Sequence, residues 1–130
     1  MSVPNGNYRI FCAGDDGRKR WLTPKDITKV NLAKESTRWQ LEQTDGVFTI
    51  HQNGSYIAGN TKDGRVDLVP LEGHAGVYWQ VEPHGDYYVI RCLDTTRGDK
   101  QFLDGNTKDS DVYLHSDTNK SGSQWLLIPS

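Results

Sequence analysis

Short stretches in which apolar and polar residues alternate recur along the whole chain. Three of them place an aromatic residue two positions before an isoleucine: Tyr8 and Ile10, Phe48 and Ile50, Tyr88 and Ile90. Side chains two positions apart lie on the same face of a β-strand. Each stretch therefore predicts a strand with one buried face.

A longer pattern follows two of these stretches. Residues 56–68 and 102–114 both contain an aromatic residue, an aliphatic residue, the run Gly-Asn-Thr-Lys-Asp, then Val and Leu at matching positions. A degraded copy, one residue shorter, occupies 21–32. Each copy is followed by a tryptophan with an aliphatic residue two positions later, at Trp39, Trp79 and Trp125. The chain is thus built from three repeats.

Each repeat contains about four short alternating runs separated by Gly, Asn and Asp, which favour tight turns. Four strands in three copies predict an all-β fold, a β-trefoil with pseudo-threefold symmetry. In such a fold a six-strand barrel is capped by three hairpins. We expect one domain over 1–130, with repeats at about 6–45, 46–84 and 85–130.

The positions that recur in all three repeats are the ones that a shared core needs. We expect three apolar layers with the tryptophans packed beneath them: Leu22, Ile57 and Leu103; Val30, Val66 and Val112; Leu32, Leu68 and Leu114. Cys12 and Cys92 follow Tyr8 and Tyr88 at the same spacing, which predicts that both thiols point inward. The sequence leaves open whether they pair.

Composition narrows the function. The 130 residues carry 15 basic and 17 acidic side chains, with both signs scattered, which argues against binding of nucleic acid. No apolar stretch approaches the about 20 residues of a membrane helix, so we expect no membrane insertion. The first residues lack the features of a signal peptide, and we expect a cytoplasmic protein.

Motifs for catalysis are missing from the sequence. Nothing matches a nucleophile elbow or a phosphate-binding loop, and the histidines and cysteines do not follow the spacing of zinc ligands. We therefore expect neither an enzyme nor a bound metal or cofactor.

The opening GNYRIF, its counterparts GVFTI and DYYVI, and the three tryptophan-containing strands resemble the ricin-B-type β-trefoils. The resemblance is to the small cytoplasmic lectins and proteinase inhibitors of mushrooms, and it covers the whole chain. One departure concerns the Gln-x-Trp signature of that family, since Thr37, Val77 and Ser123 stand where the glutamines would be.

The resemblance implies a sugar pocket made of an aspartate, an aromatic ring and a nearby amide. The third repeat alone retains this set, with the following candidate residues: Asp104, Asn106, Tyr113, His115 and Asn119. The second repeat has Ala58 and Val69 at the aspartate and ring positions, and the first has Thr23 and Ala33. The alternative is that Asp104 orients a turn and His115 is a solvated surface residue.

The Gly-Asn-Thr-Lys-Asp run also has two interpretations. Asn60 and Asn106 could face a sugar, or the run could be a turn. In the turn interpretation, Gly-Asn tolerates positive φ, and the Thr and Asp side chains bond to the backbone.

Glycans or glycoproteins are thus the expected partners of a lectin, and the sequence leaves open whether the chain forms a homodimer. The alternative function is inhibition of a serine protease through a basic loop, with these candidates: Arg18, Lys19, Arg20 and Arg97. Actin binding, which other β-trefoils perform, is neither supported nor excluded.

Overall fold

The computed structural model describes residues 3–13, 20–70, 75–94, 98–106, 109–116 and 121–130. Within these ranges the chain forms twelve β-strands and two single-turn 3₁₀ helices, Ala75–Val77 and Ser121–Ser123. The strands are β1 Gly6–Cys12, β2 Trp21–Pro24, β3 Val30–Ala33, β4 Trp39–Thr44, β5 Val47–Gln52, β6 Ser55–Gly59, β7 Val66–Val69, β8 Trp79–His84, β9 Tyr87–Cys92, β10 Phe102–Gly105, β11 Val112–His115 and β12 Trp125–Pro129. The all-β prediction is confirmed.

Six of the strands close into a barrel. Strands β1, β4, β5, β8, β9 and β12 pair antiparallel in that order, and β12 returns to pair with β1. Closure removes the free edges that an open sheet of these six strands would have.

The other six strands form three hairpins, β2–β3, β6–β7 and β10–β11. The first strand of each hairpin pairs with a barrel strand, β1, β5 or β9 respectively. The same four-strand pattern therefore occurs three times along the chain. Its strands span residues 6–44, 47–84 and 87–129.

The core is made from the recurring apolar positions. All nine residues of the expected layers are at most 8% exposed, and the three tryptophans are fully buried. The predicted core is confirmed. Burial of an apolar side chain of this size contributes about 1.5–3 kcal/mol, so these repeated positions supply much of the driving force for folding.

The three buried indoles make the same hydrogen bond in each repeat. Nε1 of Trp39 donates to the backbone oxygen of Leu22 at 2.7 Å. Nε1 of Trp79 and of Trp125 donate to the backbone oxygens of Ile57 and Leu103, each at 2.9 Å. The tryptophans therefore fasten each hairpin to the barrel.

The three hairpins are linked to one another in a cycle. The backbone nitrogen of Leu68 donates to the oxygen of Thr28 at 2.8 Å, and that of Leu114 to the oxygen of Gly64 at 2.7 Å. The nitrogen of Leu32 donates to the oxygen of Ser110 at 2.9 Å. Each hairpin thus accepts a bond from one neighbour and donates a bond to the other.

The expectation that the glycine of the Gly-Asn-Thr-Lys-Asp run serves to allow a positive φ is wrong. Gly59 and Gly105 end strands β6 and β10, and neither has a positive φ. A Cβ on Gly105 would lie 2.9 Å from Cys12 Sγ, and one on Gly59 would lie 2.8 Å from a methyl carbon of Leu114. The glycines are needed because the core leaves no room for a side chain.

Positive φ occurs five residues later in each turn, at Gly64 (81°) and Ser110 (69°). The side-chain bonds expected in the turn are confirmed for aspartate, since Asp63 Oδ1 accepts from the Arg65 nitrogen at 2.9 Å. They are wrong for Thr61, because its Oγ1 donates instead to the distant backbone oxygen of Asp94 at 2.7 Å. Thr107, its counterpart in the third repeat, lies outside the described residues.

Both cysteines are buried, which confirms the prediction that they point inward, and no disulfide joins them. Cys12 Sγ lies 3.6 Å from the Gly122 oxygen, and Cys92 Sγ lies 3.7 Å from the Gly76 oxygen. Each thiol thus contacts one of the 3₁₀ turns. Burial raises the pKa of the Cys92 thiol.

Among the described residues, no helix has the length and apolar character needed to cross a membrane.

Candidate functional site

The candidate site of the third repeat is built on the β10–β11 hairpin, where Asp104 lies directly opposite Tyr113. Asp104 is 2% exposed, so its carboxyl group is buried. A Cβ on Gly122 would lie 2.3 Å from Asp104 Oδ1, which places the second 3₁₀ turn against this carboxyl group. Only glycine fits at that position of the turn.

His115 covers the other oxygen of this carboxyl group. Its Nε2 lies 3.9 Å from Asp104 Oδ2, which is longer than a hydrogen bond but close enough for an ion pair when the imidazole is protonated. The His115 side chain is 27% exposed, so it is partly covered by the protein and partly accessible to solvent.

Tyr113 and His115 form an aromatic pair. They are two positions apart on β11, so both side chains lie on its outer face. Their ring centroids are 4.8 Å apart and the planes are tilted by 59°. Together the two rings offer an amphipathic surface beside the buried carboxyl group.

Three aspartates place negative charge around Tyr113. Burial raises the pKa of Tyr113, and the negative charges of Asp104, Asp109 and Asp111 raise it further. A side-chain hydrogen bond from Asn106 partly opposes this rise. Asp109 and Asp111 were not among the candidates from the sequence. Their place directly before β11 was the available signal, since alternation sets Asp111 on the same face as Tyr113.

Asn106 stands at the start of the turn that joins the two strands. Its Nδ2 donates to Asp109 Oδ2 at 3.1 Å, so part of its hydrogen-bonding capacity serves the turn. In the second repeat, Asn60 Oδ1 likewise accepts from the Lys62 nitrogen at 3.0 Å. The structure thus brings Asp104, Tyr113, His115 and Asn106 together. Asn119 lies outside the described residues.

The second repeat has a different set of side chains. Ala58 replaces the buried carboxylate, and it lies opposite Asp67. Asp67 in turn forms ion pairs with Lys29 and, at 3.2 Å, with Arg65 Nε. Its carboxylate therefore links two hairpins.

The first repeat also lacks a carboxylate and a ring. Thr23 lies opposite Asn31, and its Oγ1 donates to Asn31 Oδ1 at 3.1 Å. Ala33 occupies the position of His115.

The basic residues proposed for protease inhibition are mostly outside the described ranges, which leave out Arg18, Lys19 and Arg97. Arg20 is described. Its guanidinium lies 5.6 Å from the ring centroid of Phe11, within the range of a cation–π contact. This side chain lies against the barrel rather than projecting as an extended loop would require.

The described residues contain no group of three or more His, Cys, Asp or Glu side chains that could hold a metal ion.

The barrel and hairpins define an all-β protein with a buried carboxyl group beside an aromatic pair. No family model matches the chain, and no curated protein matches it. Among solved structures, it is similar to a salivary protein from Culex quiquefasciatus of the Cysteine and Tryptophan-Rich (CWRC) family, with 17% identity and a TM-score of 0.79. That match covers 99% of this chain and 96% of the salivary protein.

Two larger proteins contain a similar structure. A GlcNAcα1-4Gal-releasing endo-β-galactosidase from Clostridium perfringens matches with 19% identity and a TM-score of 0.74, over 97% of this chain and 32% of the enzyme. A mosquitocidal holotoxin matches with 18% identity and a TM-score of 0.82, over 99% of this chain and 18% of the toxin. At these identities the likeness shows the fold alone.

Proposed function

We propose that the chain is a β-trefoil of the ricin-B type and a lectin, which binds glycans without catalysis through the third repeat. The observation that carries the proposal is the buried carboxyl group of Asp104 beside the ring pair of Tyr113 and His115. Its counterparts in the other repeats are Ala58 and Thr23, neither of which is acidic.

The chemistry suits a sugar because a sugar ring has hydroxyl groups on its edge and C–H groups on its face. A carboxylate accepts hydrogen bonds from neighbouring hydroxyl groups, and these charge-assisted bonds are strong. An aromatic ring packs against the C–H face. Asp104 and the ring pair provide these two surfaces within one hairpin.

His115 must move for this binding to occur. Asp104 is 2% exposed and His115 Nε2 lies 3.9 Å from its Oδ2, so a hydroxyl group that bonds this oxygen would displace the His115 ring. His115 then serves as the platform at the side of the bound sugar.

The similar structures support this proposal through the fold. One of them, the endo-β-galactosidase, acts on a saccharide, and this chain corresponds to 32% of that enzyme.

The test is a glycan array with the labelled protein, followed by titration of the best glycan into two variants. Asp104→Asn keeps the shape of the side chain and removes the charge, and His115→Ala removes the platform. We expect both to abolish binding, while His84→Ala, at an exposed histidine of β8, leaves it unchanged. A blank array, or binding that survives both substitutions, would overturn the proposal. Trypsin inhibition measured on the same sample would then support the alternative function.

A further inference from the structure

A separate cavity of about 410 Å³ lies between the three hairpins. The lining comes from all three: Lys25, Lys29 and Val30; Asp63, Gly64, Arg65 and Val66; Asp111, Val112 and Tyr113. Three isolated bridges join the hairpins around it, Lys29 to Asp67, Asn31 to Asp111 and Arg65 to Tyr113. Its volume falls in the range of about 300–1,000 Å³ that is usual for small-molecule sites.

The buried part of the lining is apolar. Val30, Val66 and Val112 occupy equivalent positions at the starts of β3, β7 and β11, and they are 5%, 3% and 8% exposed. Gly64 lies beside them with a backbone that a side chain would strain. The cavity thus has a floor of three branched side chains and a partly buried Tyr113 at one side.

Charged groups of both signs surround this floor. The lining includes three cations, Lys25, Lys29 and Arg65, and two carboxylates, Asp63 and Asp111. A third carboxylate, Asp67, forms ion pairs with Lys29 and Arg65. The formal charges around the cavity therefore balance, with donors and acceptors interspersed.

We propose that this cavity binds a neutral polyhydroxylated ring, such as a monosaccharide or a cyclitol. The ring's C–H face would cover the valines and Tyr113, and its hydroxyl groups would accept from the lysines and Arg65 and donate to Asp63 and Asp111. An anion would meet the carboxylates and a cation would meet the basic groups, so a charged ring is disfavoured. An apolar ligand would remove water from the charged groups around the floor without offering them hydrogen bonds in return.

The cavity differs from the candidate site of the third repeat. Asp104 and His115 do not line it, and Tyr113 lies between the two places. Binding in the cavity can therefore be tested independently of the lectin proposal, with variants that leave Tyr113 in place.

The first experiment follows backbone amide resonances of the ¹⁵N-labelled protein as single rings are added. The neutral probes are glucose, galactose, mannose and myo-inositol, and the charged probes are glucuronate and glucosamine. We expect at least one neutral ring to shift the amides of Gly64, Arg65 and Val112 in a saturable way. Absence of such shifts with every neutral ring would overturn the proposal, as would tighter binding of either charged probe.

The second experiment uses Arg65→Gln and Asp111→Asn with the neutral ring that binds best. Each removes one charged hydrogen-bonding group and should weaken binding about tenfold, which corresponds to about 1.4 kcal/mol. Lys34→Gln, at an exposed lysine outside the cavity, is the matched control for loss of charge. Unchanged affinity in both cavity variants would show that the ring binds elsewhere.

His115→Ala separates this proposal from the lectin proposal. It should abolish glycan binding at the third repeat and leave the shifts of Gly64 and Arg65 intact. If it abolishes those shifts as well, the cavity is not an independent site.

Discussion

The indole of Trp125 donates its hydrogen bond to the backbone oxygen of Leu103, across the junction between the barrel and the third hairpin. Trp39 and Trp79 make the same contact in the other repeats. Three identical buried contacts show why the tryptophan recurs: it fills the core and satisfies a carbonyl group that water cannot reach.

Trp125→Phe should therefore destabilise the protein without changing its fold. The variant leaves the Leu103 oxygen without this donor and leaves a small cavity, at a combined cost of about 3 kcal/mol. Urea unfolding followed by circular dichroism measures the loss. Leu126→Ala, at the partly exposed neighbour on β12, is the control and should cost less.

Gly105→Ala tests whether close packing of the core requires glycine at this position. Its Cβ would lie 2.9 Å from both Cys12 Sγ and a methyl carbon of Leu32, which should cost about 1–3 kcal/mol. In a Cys12→Ala background the cost should fall, because one of the two contacts is removed. A double-mutant cycle by urea unfolding gives the difference, and strict additivity would contradict the crowding argument.

Ser110 and Gly64 occupy equivalent turn positions with a positive φ, which strains serine but not glycine. Ser110 has a φ of 69° and Gly64 a φ of 81°. Ser110→Gly should stabilise the protein by about 0.5 kcal/mol, since relief of strain exceeds the added entropy of the unfolded chain. Gly64→Ala should destabilise it by about 1–2 kcal/mol. Thermal unfolding of both variants checks the opposite signs.

Alkaline pH should destabilise the protein. Burial raises the pKa of Cys92 above its ordinary 9.0 and the pKa of Tyr113 above its ordinary 10.0. The native state therefore keeps protons that the unfolded state releases, and the stability present below pH 9 declines as the pH rises through this range. Urea unfolding between pH 7 and pH 11 should show the decline. It should be shallower in a Cys92→Ala, Tyr113→Phe double variant than in the parent protein.

Repetition made most of the architecture predictable from the sequence. The spacing of Tyr8 and Ile10, and of their counterparts, identified the inward faces, and recurrence identified the core. The reason for glycine at positions 59 and 105 was not predictable, because the side chains that crowd these positions are distant in sequence. A side chain there would meet residues of another repeat, and no local pattern reveals such a contact.

The candidate site was partly predictable for the same reason. Asp104 and Tyr113 face each other because the hairpin register follows from alternation along two short strands. The burial of Asp104 was not predictable, since it depends on the 3₁₀ turn around Gly122. Strand β11 lies between β10 and this turn in the sequence. The cavity between the hairpins likewise depends on three segments that only the fold brings together.

The pairing of β12 with β1 closes the barrel between two strands that are far apart in the sequence. Their five-residue register matches the length of the β4–β5 ladder, and β8–β9 has six pairs. The last two are hairpins joined by two-residue turns, whereas β1 and β12 are the first and last strands in chain order and pair without a connecting turn. The nitrogen of Ser130 donates to the oxygen of Asn7 at 2.9 Å, so the two sides of this seam lie in contact. Hydrogen bonds and side-chain packing alone therefore join β1 to β12 at one of the three similar corners of the barrel, and covalent continuity is not required there to keep the barrel closed.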